Sequence, residues 1–185
     1  GMMGKRYDAL QEDQIGFIAE QHVFFVATAA PPGAHVNLSP KGMDSLRVLS
    51  PTRILWANAT GSGNETAAHL AADPRITLMW CGFAKRPLIL RAYGTAVAHH
   101  HNSPDWAALA ALLPPLPGLR QIIDVAITLT QSSCGYAVPY MDPAGERPTL
   151  RTWAETKGPE GLRAYWAERN AETIDGTPTG IEANL

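Results

Sequence analysis

Six runs rich in β-branched, aromatic and aliphatic residues follow one another along this chain, Val23–Ala30, His35–Lys41, Arg53–Thr60, Arg75–Phe83, Leu88–Ala98 and Gln121–Gln131. Their succession limits the fold more than any other feature. Proline- and glycine-bearing turns such as Pro31-Pro32-Gly33 and Lys85-Arg86-Pro87 separate neighbouring runs, in the manner of hairpins. A doubly wound parallel sheet would need a long crossover helix after each strand, and these are missing. The last run shows the period most plainly. Ile123, Val125, Ile127 and Leu129 alternate with Ile122, Asp124, Ala126 and Thr128, the signature of a half-buried strand. The expected fold is therefore mainly β, a small antiparallel barrel of about six strands with peripheral helices, whose closure would remove exposed edges. Gly94, inside the fifth run, predicts a bulge or a close backbone approach.

The helical segments are short and peripheral. Leu10, Phe17 and Ile18 among Glu, Asp and Gln suggest an amphipathic helix over Ala9–Gln21 that lids one end of the sheet. Thr66–Leu70 reads as a helix stopped before Asp73-Pro74, because the residue ahead of proline avoids the helical region. Ser103-Pro104 predicts a capped helix start and Pro114–Gly118 a firm stop. Two further helices, Leu150–Lys157 and Glu160–Glu172, are expected within about 148–172, divided by Gly158-Pro159, and the last ten or so residues read as irregular. Trp153, Tyr165 and Trp166 in them read as packing residues.

One domain, 1–185, is the expectation for 185 residues of which 45% are hydrophobic, enough for a single core. A net charge of -2 argues against nucleic acid or anionic membrane as a partner by bulk electrostatics. Cys81 and Cys134 are far apart with no CxxC, which fits a reducing cytoplasm better than a disulfide framework. No apolar run is long enough to span a bilayer, and the start carries no signal-peptide core. Gly1 ahead of Met2 reads as an expression remnant.

Chemistry concentrates between His35 and Thr66. Period-2 geometry places Asn37, Ser39 and Lys41 on one face of the second run, expected to be polar and cationic, and Val36 and Leu38 on the other, expected to be buried. The third run carries Trp56, Asn58 and Thr60 and leads at once into Gly61-Ser62-Gly63-Asn64 ahead of a helix starting near Thr66. Such a turn offers free amide N–H groups at a positive dipole end. With the hydroxyl of Ser39 and the ammonium of Lys41 it would make a phosphate site, and Trp56 and Asn58 could serve a flat ring attached to that phosphate. The loop alone reads more readily as a structural turn capped by Asn64, and Lys41 alone as a solvated lysine; their combination in one compact unit raises the site reading.

Other motifs are weaker. Gly61–Thr66 departs from GxGxxG, with Thr66 at the third glycine and no βαβ unit around it, and lacks the Walker lysine. His99-His100-His101 point to alternate faces of a strand and cannot all ligate one metal, so a solvated strand end is expected and no metal site is assigned. There is no GxSxG elbow and no paired-carboxylate motif.

Taken together, FFVATAAPPGAHVNLSPKG, RILWANATGSGNETAAHL, PRITLMWCGF, LILRAYGTA and the later SCGYAVP and TLRTWAETKG resemble the pyridoxamine 5'-phosphate oxidase-like, FMN-binding split-barrel proteins. The resemblance implies a six-stranded antiparallel Greek-key split barrel, a homodimer with FMN at the subunit interface, and an FMN-dependent oxidoreductase drawing electrons from a donor such as NAD(P)H. Carried across by position, Ser39 and Lys41 would hold the FMN phosphate, Asn58 and Thr60 would lie beside the flavin, and Ser62, Gly63, Asn64 and Thr66 would complete the cradle. Some relatives have arginine and lysine where this chain has Gly63-Asn64-Glu65; Glu65 would then have to point away from the phosphate. The same barrel also holds flavin, deazaflavin or haem without catalysis, which stands as the alternative.

Overall fold

The computed structural model describes residues 4–185; the reading of Gly1 lies outside them. Eight strands form one antiparallel sheet: β1 (Lys5–Tyr7), β2 (Phe24–Thr28), β3 (Asn37–Lys41), β4 (Leu46–Ser50), β5 (Arg53–Ala59), β6 (Arg75–Cys81), β7 (Leu88–His99) and β8 (Leu119–Cys134). Six are the expected runs. The two additions lacked the sequence signal. β4 is half-buried at every position and so does not alternate, while β1 has three residues, two of them charged.

The order is β3-β2-β6-β7-β8-β5-β4, with β1 also on β8. The long β8 is the spine. One edge pairs with β7 along its whole length, and the other pairs first with β5 and then with β1. The sheet curls round a core of Phe24, Val26, Ile54, Trp56, Leu78, Trp80, Leu90 and Ile123, which α1 (Glu12–Glu20) closes with Phe17 and Ile18. This is the split barrel. At the Tyr93/Gly94 register shift a Cβ on Gly94 would stand 1.9 Å from the Ala126 carbonyl oxygen, so the close approach foreseen there admits only glycine.

The outer faces of β5 and β8 bury Leu55, Ala57 and Ile122 against Leu109 and Leu113 from α3 (Trp106–Ala110) and the turn after it. Ser103 is not the cap of α3: its Oγ accepts from the Asp105 N–H at 3.2 Å, two residues ahead of the N-cap position, which Asp105 holds. α4 (Thr149–Arg169) is bent at Gly158 (φ 69°, ψ 174°), the expected break. The tail is more ordered than its composition suggests. Glu172 bridges Pro178, and Ile181, in a 3-10 turn over Ile181–Asn184, is buried against Trp166 and Leu162. The histidine triplet is not a solvated strand end: His101 lies 4.5 Å from the Trp106 ring and 5.3 Å from Trp166, and its Nε2 meets the Leu119 carbonyl at 2.8 Å.

Candidate functional site

Strand pairing decides which way β3 faces. Lys41, Ser39 and Asn37 lie opposite Phe24, Val26 and Thr28, all buried on β2. The polar residues of β3 thus share the barrel side with core residues, and the expected burial of the other face is corrected: Val36 is 77% and Leu38 71% exposed. The physical reason is position. β3 is an edge strand, and no element of this chain covers its outward flank among the described residues.

On the inner side a polar chain runs from strand to loop. The Lys41 ammonium donates to Asn58 Oδ1 at 3.1 Å, Asn58 Nδ2 to Gln121 Oε1 at 2.9 Å, and Gln121 Nε2 to Asn64 Oδ1 at 3.0 Å. Asn58 and Gln121 are register partners on β5 and β8. They occupy the same inward phase as Trp56 and Ile123, one step nearer the end of the barrel. Asn58, Gln121 and Asn64 are almost wholly buried, so their amides satisfy one another in place of water.

Arg120 joins this chain from its neighbour position. Its Nε donates to Gln121 Oε1 at 3.1 Å, and its Nη1 reaches the Gly63 carbonyl at 2.8 Å and Asn170 Oδ1 at 2.8 Å. Among the described residues neither Lys41 nor Arg120 makes an ion pair. Burial, reinforced by the nearby Arg120 charge, pulls the Lys41 ammonium from 10.5 to about 8. Burial likewise lowers Arg120 from the usual guanidinium range to about 10. Two cations held out of water beside neutral amides are a preformed seat for an anion, because a buried charge is costly until it is paired.

The loop itself is anchored from below. Asn170, fully buried at the end of α4, donates from Nδ2 to the Gly61 carbonyl at 3.0 Å, and its own carbonyl accepts from Asn64 Nδ2 and from the Thr179 hydroxyl. Asn64 therefore does not cap α2 (Glu65–Ala72) as expected; its side chain is spent on Gln121 and Asn170, and α2 has no side-chain cap. The first-turn N–H groups of α2 are left for another acceptor. The Glu65 carboxylate accepts from the Ile174 N–H at 3.3 Å yet still lines the cleft beside Ser62 and Gly63.

The remaining candidate residues divide. Asn37 donates to Thr66 Oγ1 at 3.1 Å and to Thr28 Oγ1 at 3.2 Å, tying β3 to the start of α2. Ser62 and Gly63 are exposed and line, with Asn37, a cleft of about 540 Å³. Ser39 is half-buried on the barrel side of β3. Thr60 is buried, donating to the Gly118 carbonyl at 2.7 Å and accepting from Trp166 Nε1 at 2.9 Å, which makes it a joint between loop and helix. Trp56 is the correction: it is fully buried in the barrel core, edge-on to Phe24 at 5.8 Å, and cannot offer its face to a ring outside. It shares Asn58's phase of the strand but sits a step deeper.

Arg120, Gln121 and Asn170 were not among the residues singled out from sequence. A signal existed for one of them. Gln121 occupies the buried phase of the β8 alternation, where Ile123, Val125 and Ile127 follow, and a polar residue there demands a partner. Asn170 lies some fifty positions from Arg120 and nothing local connects them.

The sequence profile described as pyridoxamine 5'-phosphate oxidase matches residues 10–134. The pyridoxamine 5'-phosphate oxidase family protein ustO of Aspergillus flavus is 33% identical over 189 residues, taking in 93% of this chain and 76% of that protein. A candidate pyridoxamine 5'-phosphate oxidase of Lactobacillus delbrueckii shares the fold with a TM-score of 0.53 at 18% identity, over 67% of this chain and 94% of that one. HupZ of group A Streptococcus gives 0.51 at 18% identity, over 64% and 89%. With profile, curated relative and fold in agreement, the chain belongs to the pyridoxamine 5'-phosphate oxidase family.

Proposed function

We propose that this protein binds FMN and works as an FMN-dependent oxidoreductase. The observation that carries the reading is the pair of cations, half-buried Lys41 and buried Arg120, without an anionic partner among the described residues, next to the uncapped start of α2. These groups fit a phosphate monoester: an ammonium, the exposed Ser62 hydroxyl and free backbone N–H groups are the donors such an oxygen-rich dianion takes. Glu65, held by the Ile174 N–H, lines the same cleft, and its carboxylate would oppose the dianion there.

When bound, the flavin supplies the hydride and electron chemistry, and the protein supplies orientation and electrostatics. Lys41, steadied by Asn58, would neutralise charge at the anionic end. Asn37, which fastens β3 to Thr66, keeps the two walls of the cleft in register. The outward Val36 and Leu38 favour a second copy of the chain as the cover of this edge, so that a homodimer would complete the site. NAD(P)H is the proposed electron donor. No helix among the described residues is long and apolar enough to cross a membrane, and Cys81 and Cys134 are both free thiols, which supports a reducing compartment, the cytoplasm.

The test is calorimetric titration with FMN and with riboflavin, which lacks the phosphate. Wild-type protein should favour FMN, and Lys41→Met should weaken FMN by about tenfold or more while leaving riboflavin nearly unchanged, the charge-assisted contact being worth about 1.5–3 kcal/mol. Absence of flavin binding, or equal losses for both ligands, would overturn the phosphate assignment. Anaerobic mixing with NADH or NADPH tests the oxidoreductase step, and a flavin that stays oxidised would refute it.

A further inference from the structure

A loop can turn its N–H groups towards a ligand only if its carbonyls face elsewhere. In Gly61-Ser62-Gly63 all three carbonyls are taken from within the protein. Arg120 Nη1 donates to Gly61 at 3.3 Å and to Gly63 at 2.8 Å, and Asn170 Nδ2 donates to Gly61 at 3.0 Å and to Ser62 at 3.4 Å. The two donors also hold each other, Nη1 to Oδ1 at 2.8 Å. Both are rigidly seated. Arg120 is 2% exposed, with its Nε on Gln121 and its carbonyl accepting from Asn184 Nδ2 at 2.8 Å. Asn170 is fixed through its carbonyl by Asn64 and Thr179. Among the described residues the N–H groups of Gly61, Ser62 and Gly63 have no protein acceptor, and all three residues are exposed.

We infer that Arg120 and Asn170 form a clamp that sets the glycine loop with its carbonyls inward and its amides outward, so that the end of α4 is a positioning element for the phosphate of the bound nucleotide. This rests on the flavin reading for the identity of the ligand, though not for the geometry of the loop. It gives Arg120 a task distinct from that of Lys41. Lys41 offers charge to the ligand, whereas Arg120 acts through the loop, its Nε spent on Gln121 and its Nη1 on Asn170 and the loop carbonyls. Nε on Gln121 and Nη1 on the loop carbonyls and Asn170 are separate nitrogens of one rigid plane, a spread that a lysine's single ammonium on a flexible stem cannot reproduce.

Two nearly isosteric or charge-conserving variants test this. Arg120→Lys keeps the charge and removes the fork. Asn170→Asp keeps the oxygen facing Arg120 and replaces the donor that holds Gly61 and Ser62 with a carboxylate oxygen. Each should weaken FMN by about tenfold or more, with riboflavin changed far less. In ligand-free protein, 15N relaxation should report Gly61 and Gly63 as rigid in the wild type, with order parameters near about 0.85, and mobile in both variants, below about 0.6. An Arg120→Lys protein that binds FMN like the wild type with a rigid loop would show that charge alone matters and overturn the clamp. Equal loss of FMN and riboflavin would also overturn it, as would an unchanged loop in Asn170→Asp. Should the wild type bind no flavin at all, the flavin reading fails by itself; the relaxation measurement then decides the clamp alone, mobility in the variants supporting it and rigidity refuting it.

Discussion

Replacing Lys41 with methionine should make the ligand-free protein more stable. The folded state holds the Lys41 proton with a pKa of about 8 against an ordinary 10.5, first because burial strips the ammonium of water and then because Arg120 repels it. That gap corresponds to about 3 kcal/mol carried by the protonated lysine at neutral pH. Methionine keeps the unbranched stem and removes the charge. Against this gain stands the loss of the bond to Asn58 Oδ1, whose only side-chain donor among the described residues is Lys41, a cost of about 1–2 kcal/mol for a buried acceptor left unpaired. The net expectation is a gain of about 1–2 kcal/mol, or about 3–6 °C in Tm for a chain of this size. The pH dependence has a definite sign. Between pH 8 and 10.5 the unfolded chain binds the Lys41 proton and the folded one has released it, so wild-type stability from this group rises with pH across that window. The variant lacks this rise, and its advantage should shrink as the pH climbs. Urea unfolding followed by tryptophan fluorescence at pH 7 and pH 9.5 measures both. A variant less stable than the wild type at pH 7, or an advantage that does not change with pH, would refute the view of Lys41 as a half-buried, poorly solvated cation waiting for an anion.

Gly94→Ala should cost about 3 kcal/mol or more, because its Cβ would lie 1.9 Å from a backbone oxygen on the adjoining spine strand and neither strand can move without breaking the ladder; thermal melting showing a loss under 1 kcal/mol would contradict the bulge geometry. Val36→Glu with Leu38→Glu should leave the stability of the isolated chain within about 0.5 kcal/mol, since both side chains are solvent-exposed on it. The same pair should convert the proposed homodimer to monomer in sedimentation velocity; a dimer unchanged by the pair would place the interface elsewhere, and a monomeric wild type would refute the homodimer.

Local patterns were enough to recover the sheet's six principal strands, the antiparallel class, the break at Gly158 and the tight approach at Gly94, because each depends on residues a few positions apart. The alternation along β8 and the proline and glycine punctuation are read directly from the chain. The family was legible in the same way, through blocks of consecutive residues. What the sequence left open is which side of a strand meets the core. The phase of β3 was correct, with Asn37, Ser39 and Lys41 together, but its orientation was inverted, since only the pairing of Lys41 with Phe24 and of Ser39 with Val26 fixes it. Trp56 and Asn58 illustrate a second limit. They share a phase, yet one is sealed beside Phe24 and the other takes the Lys41 ammonium, a difference set by depth in the barrel.

The sequence by itself determined the barrel and the glycine turn ahead of α2, since propensity, period and turn chemistry act over short distances. Tertiary structure alone decided that Arg120 and Asn170, separated along the chain, meet beneath that turn, and that the half-buried Lys41 and the buried Arg120 are left without a carboxylate among the described residues. Hydrogen-bond partners and desolvation are properties of what surrounds a side chain, and those surroundings exist only once distant segments have packed together.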